Sequence, residues 1–373
     1  MEDVLTEELQ QMGVQHTEKL RRAVRFEGDL TMLYRANYEL RTAIRILVPF
    51  HTFKAKNEHQ LYKQIKKVDW SQHMKVTDTL AIDATTHSDF FNHSKYVALK
   101  TKDAIVDQFR DNTGRRPNVN IHAPTLRIQV HIHNDNVTLS FDSSGEPLFK
   151  RGYRIDKLDA PISEVLAAGI ILLSGWKADC NFIDPMCGSG TIPIEAAMIA
   201  YNIPPQIFRK KFGFQTWKNF DQRIWKGVQL DAEKRKRDFD FQILGFDKDF
   251  KATRIAQHNA AAAQLSDKII FKRQKFKKLV PPEGKGLMMI NPPYDERLQD
   301  SGIKELYQMM GDQFKQQFAG WEAWVISSNM GALKSIGLRP SKKIPLYNGP
   351  LECKLIKFEM YEGSRRKKLK IEN

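Results

Sequence analysis

Cysteine is scarce in this chain: Cys180, Cys187 and Cys353 are the only three among 373 residues. They are too few and too scattered for a disulfide framework or a zinc knuckle, and a reducing cytoplasmic setting is the simple inference. Long apolar runs are missing too. The longest, "VLAAGIILLSGW", falls short of the roughly 18 residues that a bilayer-spanning helix needs. The opening "MEDVLTEELQ" is acidic and polar and does not read as a signal peptide. Acid is in short supply against base: 44 Asp and Glu stand against 59 Lys and Arg, a net charge of +15. Such an excess fits a polyanionic partner, either nucleic acid or an anionic membrane surface. What is present in ordinary amount is hydrophobic content, 41% with 22 Phe and 6 Trp, enough for buried cores in two or three domains. No internal repeat is visible.

The pattern is α/β throughout. Residues 1–50 begin with a helix, "DVLTEELQQMG", closed by Gly13, and continue in short strand-like runs to "TAIRILVPF". Residues 51–150 form a second α/β part. Its helix "KDAIVDQFRDNTG" carries Ile105 and Phe109 on one face with Gly114 past its end, and "TLRIQVHIHND" and "NVTLSFDSSG" alternate like hairpin strands. Over 151–362 a linker, "EPLFKRGYRIDKLDAP", leads to the helix "ISEVLAAGIILLSGW". Strands and helices then alternate as in a parallel sheet, with strands at "CNFIDP", "FQILGFDKD", "KIIFKRQKF", "GLMMINPPY", "WEAWVISSN" and "CKLIKFEMYEG". Residues 363–373 read as a basic, solvated tail.

Three strand ends carry chemistry-bearing residues. "DPMCGSGTIPIEAA" sets Asp184 at the first, then Gly188 and Gly190, then a helix. Such a loop is either a tight turn or a cradle whose N–H groups meet a ligand. No P-loop Lys-Ser or Lys-Thr follows, which argues against a nucleoside triphosphatase. "GFDKD" ends the second strand at Asp247, which either caps a helix or holds a ribose diol. "INPPYDERL" ends the fourth, because consecutive prolines cannot continue a paired strand. Asn291 to Tyr294 are then either a turn or a site for a base amine. Three such signals in this order outweigh each taken singly.

At these residues the chain resembles the S-adenosylmethionine-dependent methyltransferases that modify exocyclic base amines. Reading outward, "FDSSGEPLFKRGYR", "DAPISEVLAAGIILLSGW", "DPMCGSGTIPIEAA" and "INPPYDERL" resemble the bacterial large-subunit ribosomal RNA guanine-N2 methyltransferases. "KTKDAIVDQFRDNTGRRPNV" is similar to that family's RNA-binding THUMP domain. The resemblance spans essentially the whole chain. It implies a ferredoxin-like N-terminal part, a THUMP domain and a Rossmann-like class I methyltransferase sheet. The cofactor implied is S-adenosylmethionine, held by Asp184, Cys187, Gly188, Gly190, Thr191, Asp247 and Asn291. Asn291, Pro292, Pro293 and Tyr294 would act on the target amine, with Tyr294 stacking on or beside the base. Structured ribosomal RNA is the implied partner, with contacts at Lys100, Lys102, Lys210 and Lys211, and neither membrane nor metal is implied.

The sequence departs from that family in several places. Asp184 and Asp247 are 63 residues apart, against about 20 in a minimal dinucleotide fingerprint. The difference is an insertion over 201–240 containing "FRKKFGFQTWKNF" and "EKRKRDF", read either as phosphate contact with base stacking or as aromatics packed onto the sheet. Lys275 stands where the family has an Asp toward the adenine amine, and lysine cannot accept that hydrogen bond. Asp295 replaces a Gly and Phe149 a His, and the family's strand before the first helix is missing. Cys187 invites a nucleophile reading, set against a small loop residue, and His131 and His133 a metal reading, set against an exposed strand face. Rival functions are transfer to tRNA guanine or to adenine N6, and a non-catalytic RNA-binding assembly factor.

Overall fold

A computed structural model describes residues 1–156, 158, 162–293 and 300–361 of the chain. The first unit opens with α1 (Glu2–Gln11), which buries Val4 and Leu9, beside an antiparallel hairpin of β1 (Thr17–Leu20) and β2 (Ala23–Phe26). Helix α2 (Leu30–Glu39) starts at Asp29, whose carboxylate accepts the Met32 N–H at 2.8 Å. That bond satisfies one donor that a helix start leaves without an internal partner.

The second unit contains β3 (Leu47–Lys54), α3 (Glu58–Lys67), β4 (Thr79–His87), α4 (Ser94–Thr113), β5 (Asn118–Val119), β6 (Leu126–His133) and β7 (Asn136–Asp142). Its strands form one sheet in the order β3–β7–β6–β4–β5. In β6 the residues Leu126, Ile128, Val130 and Ile132 are buried while His131 and His133 face solvent. That period-two alternation marks a sheet covered on one side; α3 and α4 cover it with Leu61, Ile65, Ile105 and Phe109. The division expected at residue 50 falls inside β3, a strand that pairs with β7 from Leu47 to Lys54 around a bulge near Phe50.

The third unit comprises α5 (Glu164–Ser174), β8 (Asn181–Asp184), α6 (Thr191–Ala200), α7 (Gln222–Lys234), β9 (Ile243–Asp247), α8 (Phe250–Ala262), β10 (Ile270–Arg273), β11 (Gly286–Ile290), α9 (Asp300–Gln317), β12 (Glu322–Ser327), α10 (Met330–Lys334), β13 (Lys342–Asn348) and β14 (Leu351–Glu359). The sheet order is β10–β9–β8–β11–β12–β14–β13, with the first five strands parallel and the last two antiparallel. Every residue of β8 and β11 is buried, as in strands covered on both faces. Strand β13 was not expected from the sequence. Pro345 and exposed Lys342 and Lys343 hide its pattern, and it lies at the sheet edge, where a proline is tolerated. Successive strands leave β8 in one direction and β11 in the other, so the ligand crevice falls at the carboxyl ends of these two neighbours.

The aromatics of the insertion divide: Phe208 and Phe239 pack against the methyltransferase core, as one of the two readings expected, and others do not. Phe212, Phe214 and Trp225 are at most 5% exposed and pack against Tyr34 and Tyr38 of the first unit, not against the methyltransferase sheet. Tyr34 stacks on Phe214 at 4.3 Å between centroids, and Trp225 meets Tyr38 edge-on at 5.3 Å. Buried rings cannot serve as platforms for bases. Some of the basic residues are also committed internally: Arg235 reaches both Glu39 oxygens at 2.7 and 2.9 Å, and Arg237 donates to the Ala200 carbonyl at 2.7 Å.

Beneath this junction lies a charge pair with both members 0% exposed, Arg151 and Glu195, at 3.5 Å. Tyr153 donates its hydroxyl to Glu195 at 2.9 Å, while Arg151 donates to the carbonyls of Leu148 and Arg41. Arg41 in turn donates to the carbonyls of Met198 and Ile203. Removing one member of a buried pair strands the other charge. Arg151→Met is therefore expected to cost about 3–5 kcal/mol of stability, seen as a lower urea midpoint, with Glu195→Gln in the same chain recovering part of the loss. An unchanged midpoint for the single variant would show the pair to be dispensable.

Candidate active site

Pro185 stops β8 directly after Asp184, and Pro292 and Pro293 stop β11 after Ile290. Ile183 pairs with Met288, so Asp184 and Asn291 stand at adjoining carboxyl ends. Asp184 is 1% exposed and accepts the Met186 N–H at 3.1 Å. Burial pushes its carboxyl well above the usual carboxylate range, and the neighbouring Asp247 charge adds to the effect. Asp184 thus shapes the turn from beneath.

The loop that follows is bonded to the end of β9. The Cys187 N–H donates to the Phe246 carbonyl at 2.8 Å, and the Gly188 N–H donates to Asp247 Oδ2 at 3.1 Å. Gly190 has φ +83°, and a Cβ there would lie 2.9 Å from that of Ala256, so packing of α6 against α8 requires glycine. Gly188 is different. Among the described residues a Cβ added to it would meet only Leu158, at 3.8 Å. Asp247 Oδ1 accepts the Asp249 N–H at 2.9 Å. Each Asp247 oxygen then keeps one lone pair, which suits the two hydroxyls of a ribose. A glycine cradle with a half-buried carboxylate beside it fits the nucleoside cofactor implied by the sequence.

Cys187 is 7% exposed, its side chain in the core. Burial pushes its thiol far up, with Asp184 and Asp247 adding to the shift, so a thiolate nucleophile is disfavoured. Thr191 is buried and accepts a hydrogen bond from Arg154 at 2.8 Å. Asn291 is half-buried, Pro292 buried and Pro293 exposed, while Tyr294 and Asp295 lie outside the described residues. Lys275 is exposed, just past Gln274, whose N–H donates to the Asp247 carbonyl at 2.8 Å. Lys100 sits 5.4 Å from the Tyr62 ring centroid, Lys102 pairs with Asp103 at 2.6 Å, and Lys210 and Lys211 are exposed. His131 bonds Thr85 at 3.0 Å on the open sheet face.

Sequence reasoning missed the bracket that holds the linker over the loop. Asn259, 1% exposed on α8, accepts the N–H groups of Ile155 and Asp156 at 3.1 Å each. It donates to the carbonyls of Ser189 and Asp156 at 3.0 and 3.2 Å. Arg154 joins Thr191 to the Ile162 carbonyl and lies 3.3 Å from Glu164. The only signal was a lone Asn in an Ala-rich helix.

A parallel five-stranded core with a terminal antiparallel pair, and ligand-facing groups at the carboxyl ends of β8, β9 and β11, is the architecture of Rossmann-like S-adenosylmethionine-dependent methyltransferases. Residues 151–357 match the RMKL-like methyltransferase domain, 55–142 the THUMP domain and 1–47 the RlmL ferredoxin-like domain, and the chain belongs to this RMKL-like methyltransferase family. It is 39% identical over 363 residues to a Synechocystis protein named as an RNA methyltransferase, covering 97% of this chain and 94% of that one. It is 38% identical over 375 residues to the ribosomal RNA large subunit methyltransferase K/L of Syntrophotalea carbinolica, covering 97% of this chain and 52% of the relative. The chain thus spans about half the length of such K/L relatives. Among solved structures, the methyltransferase SMU.472 complexed with SAH is similar with a TM-score of 0.85 at 30% identity, over 97% of this chain and 96% of that one.

Asp247→Ala is expected to weaken S-adenosylmethionine binding by roughly 1.5–3 kcal/mol in calorimetry, the range for a lost charge-assisted hydrogen bond. An unchanged dissociation constant would reduce Asp247 to a brace for the glycine loop. Lys275→Asp is expected to hold or improve that affinity, and a large loss would show that the position does not face the adenine amine.

Proposed function

We propose that the chain transfers a methyl group from S-adenosylmethionine to the exocyclic N2 of a guanine in large-subunit ribosomal RNA. The observation that carries this reading is the meeting of Asn291 and Pro292, at the end of β11, with the glycine loop at the end of neighbouring β8. The cofactor, when bound, supplies an electrophilic methyl on a sulfonium centre. Gly188 and Asp247 would hold its nucleoside, the carboxylate accepting from the ribose.

An aryl amine is a poor nucleophile because its lone pair is delocalised into the ring. The Asn291 side-chain oxygen and the Pro292 carbonyl offer two acceptors, matching the two N–H donors of the guanine amine. Drawing on both N–H groups favours a pyramidal nitrogen and directs its lone pair to the methyl. Positioning and preorganised dipoles then supply the rate enhancement without a strong base. The base must leave its stack at a cost of a few kcal/mol, which an adjacent aromatic such as Tyr294 offsets. Lys100, Lys102, Lys210 and Lys211 would contact phosphates and set register.

Nucleoside mass spectrometry of treated ribosomal RNA is expected to show N2-methylguanosine. N6-methyladenosine, or modification of tRNA alone, would replace the substrate assignment, and cofactor binding without product would favour an assembly factor. Asn291→Ala is expected to abolish transfer while leaving cofactor affinity nearly intact. Wild-type turnover in that variant would remove the proposed mechanism.

A further inference from the structure

The positive charge of the chain is not spread evenly. Residues 1–200 carry 25 Lys and Arg against 25 Asp and Glu, so the whole excess of +15 lies in residues 201–373. Within 55–142 the count is 12 basic against 10 acidic residues, which leaves the THUMP unit nearly neutral. Part of that excess lies in "KIIFKRQKFKK", residues 268–278, with six Lys and Arg and no acid.

This run forms the outer strand β10 and the turn beyond it, and among the described residues β10 pairs only with β9. Lys272, Arg273, Lys275, Lys277 and Lys278 are all exposed, and Lys248, Lys251 and Arg254 from the turn and helix after β9 are exposed beside them. The two groups are physically continuous. Arg273 donates to the Lys248 carbonyl at 3.2 Å, and Gln274 donates to the Asp247 carbonyl. Phe250, 56% exposed, lies in the same turn with the Arg254 guanidinium 5.9 Å from its ring centroid. Two acids stand in the same turn, Asp247 and Asp249, each accepting backbone N–H groups, so cations outnumber anions there eight to two.

Lysines on an outer strand often serve only to block edge-to-edge pairing. That accounts for Lys272 and Arg273. It does not account for Lys275, Lys277 and Lys278, which lie past the strand, or for Lys248, Lys251 and Arg254, which lie on another element. Eight exposed cations with an exposed aromatic, at the rim of the proposed cofactor site, have the make-up of a surface for phosphates and unpaired bases.

We propose that this face, from the turn after β9 across β10 to Lys278, is the main phosphate-binding surface for the RNA substrate. The THUMP unit then adds shape and register more than electrostatic affinity. The inference rests on the RNA reading above and gives Lys275 a role: it is a phosphate contact where the family has an adenine contact.

The test compares Lys272→Gln/Lys277→Gln/Lys278→Gln with a charge-matched control on the THUMP helices, Lys63→Gln/Lys67→Gln/Lys95→Gln. Binding to a large-subunit ribosomal RNA transcript is measured across salt concentrations, and S-adenosylmethionine affinity by calorimetry reports that each variant is folded. Each lost phosphate contact flattens the log–log salt slope by about 0.7–0.9. The first variant is expected to lose about 2 to 3 in slope, and the control less than about 1, with cofactor affinity unchanged in both. Equal slopes in the two variants, or a larger loss in the control, would overturn the proposal. Salt-independent binding by the unmodified chain would instead undo the RNA reading itself.

Discussion

One buried carboxylate holds the molecule in register. Glu195 sits on α6, the helix that the glycine loop opens, and takes both Arg151 and Tyr153 from the linker after the THUMP unit. Burying a charge pair costs several kcal/mol per ion, and the cost is met only if the remaining donors and acceptors are satisfied. Here Arg151 also donates to the Leu148 and Arg41 carbonyls, which makes the linker and the first unit part of the same network, while Glu195 Oε2 has no hydrogen-bond partner among the described residues. The linker then continues over the loop, fixed by Arg154 to Thr191 and by Asn259 to Ser189. The segment that joins the THUMP unit to the methyltransferase unit is thus fastened to α6 at its base and to the glycine loop at its tip.

That construction bears on the chemistry. Methyl transfer to an amine demands placement within fractions of an ångström and little acid–base power. The site provides rigidity: a loop tied to β9 by the Gly188–Asp247 and Cys187–Phe246 bonds, and a central strand closed by two prolines. The thiol in the loop, Cys187, is held back by burial and by two carboxylates.

What could be read from the sequence follows from what is local. Asp184, Asp247 and Asn291 announce themselves because chain-breaking prolines and glycines mark strand ends, and the order of strand ends fixes a parallel sheet. The hairpin of β6 and β7 was legible for the same reason, its alternation being written in adjacent residues. Packing between units is not local. Nothing near Phe212 and Trp225 says that they meet Tyr34 and Tyr38, so their basic neighbours made them look like a nucleic-acid surface. Asn259 stood out only as a lone Asn in an Ala-rich helix, because its partners Ile155, Asp156 and Ser189 come from distant segments, and β13 hid behind Pro345, which an edge strand accepts.

The separation of charge from the THUMP unit has a consequence for selectivity. Phosphate attraction is the same at every nucleotide, so a strongly basic recognition module would bind RNA everywhere and slow the search for one target nucleotide. A nearly neutral module gains little from non-specific contact and responds chiefly to shape, as recognition of folded RNA requires. Bulk affinity is then better placed beside the pocket, where a strand held by its phosphates is already within reach of Asn291. With the linker clamped by Glu195, the distance between the two surfaces is set by the fold. If the proposed phosphate surface and the THUMP unit both bind the RNA, only an RNA whose target base lies at that distance from the THUMP-bound feature satisfies both at once. On this reading the specificity of the enzyme is a length measured by the buried Arg151–Glu195 junction, and the amine site needs to discriminate only the base that arrives.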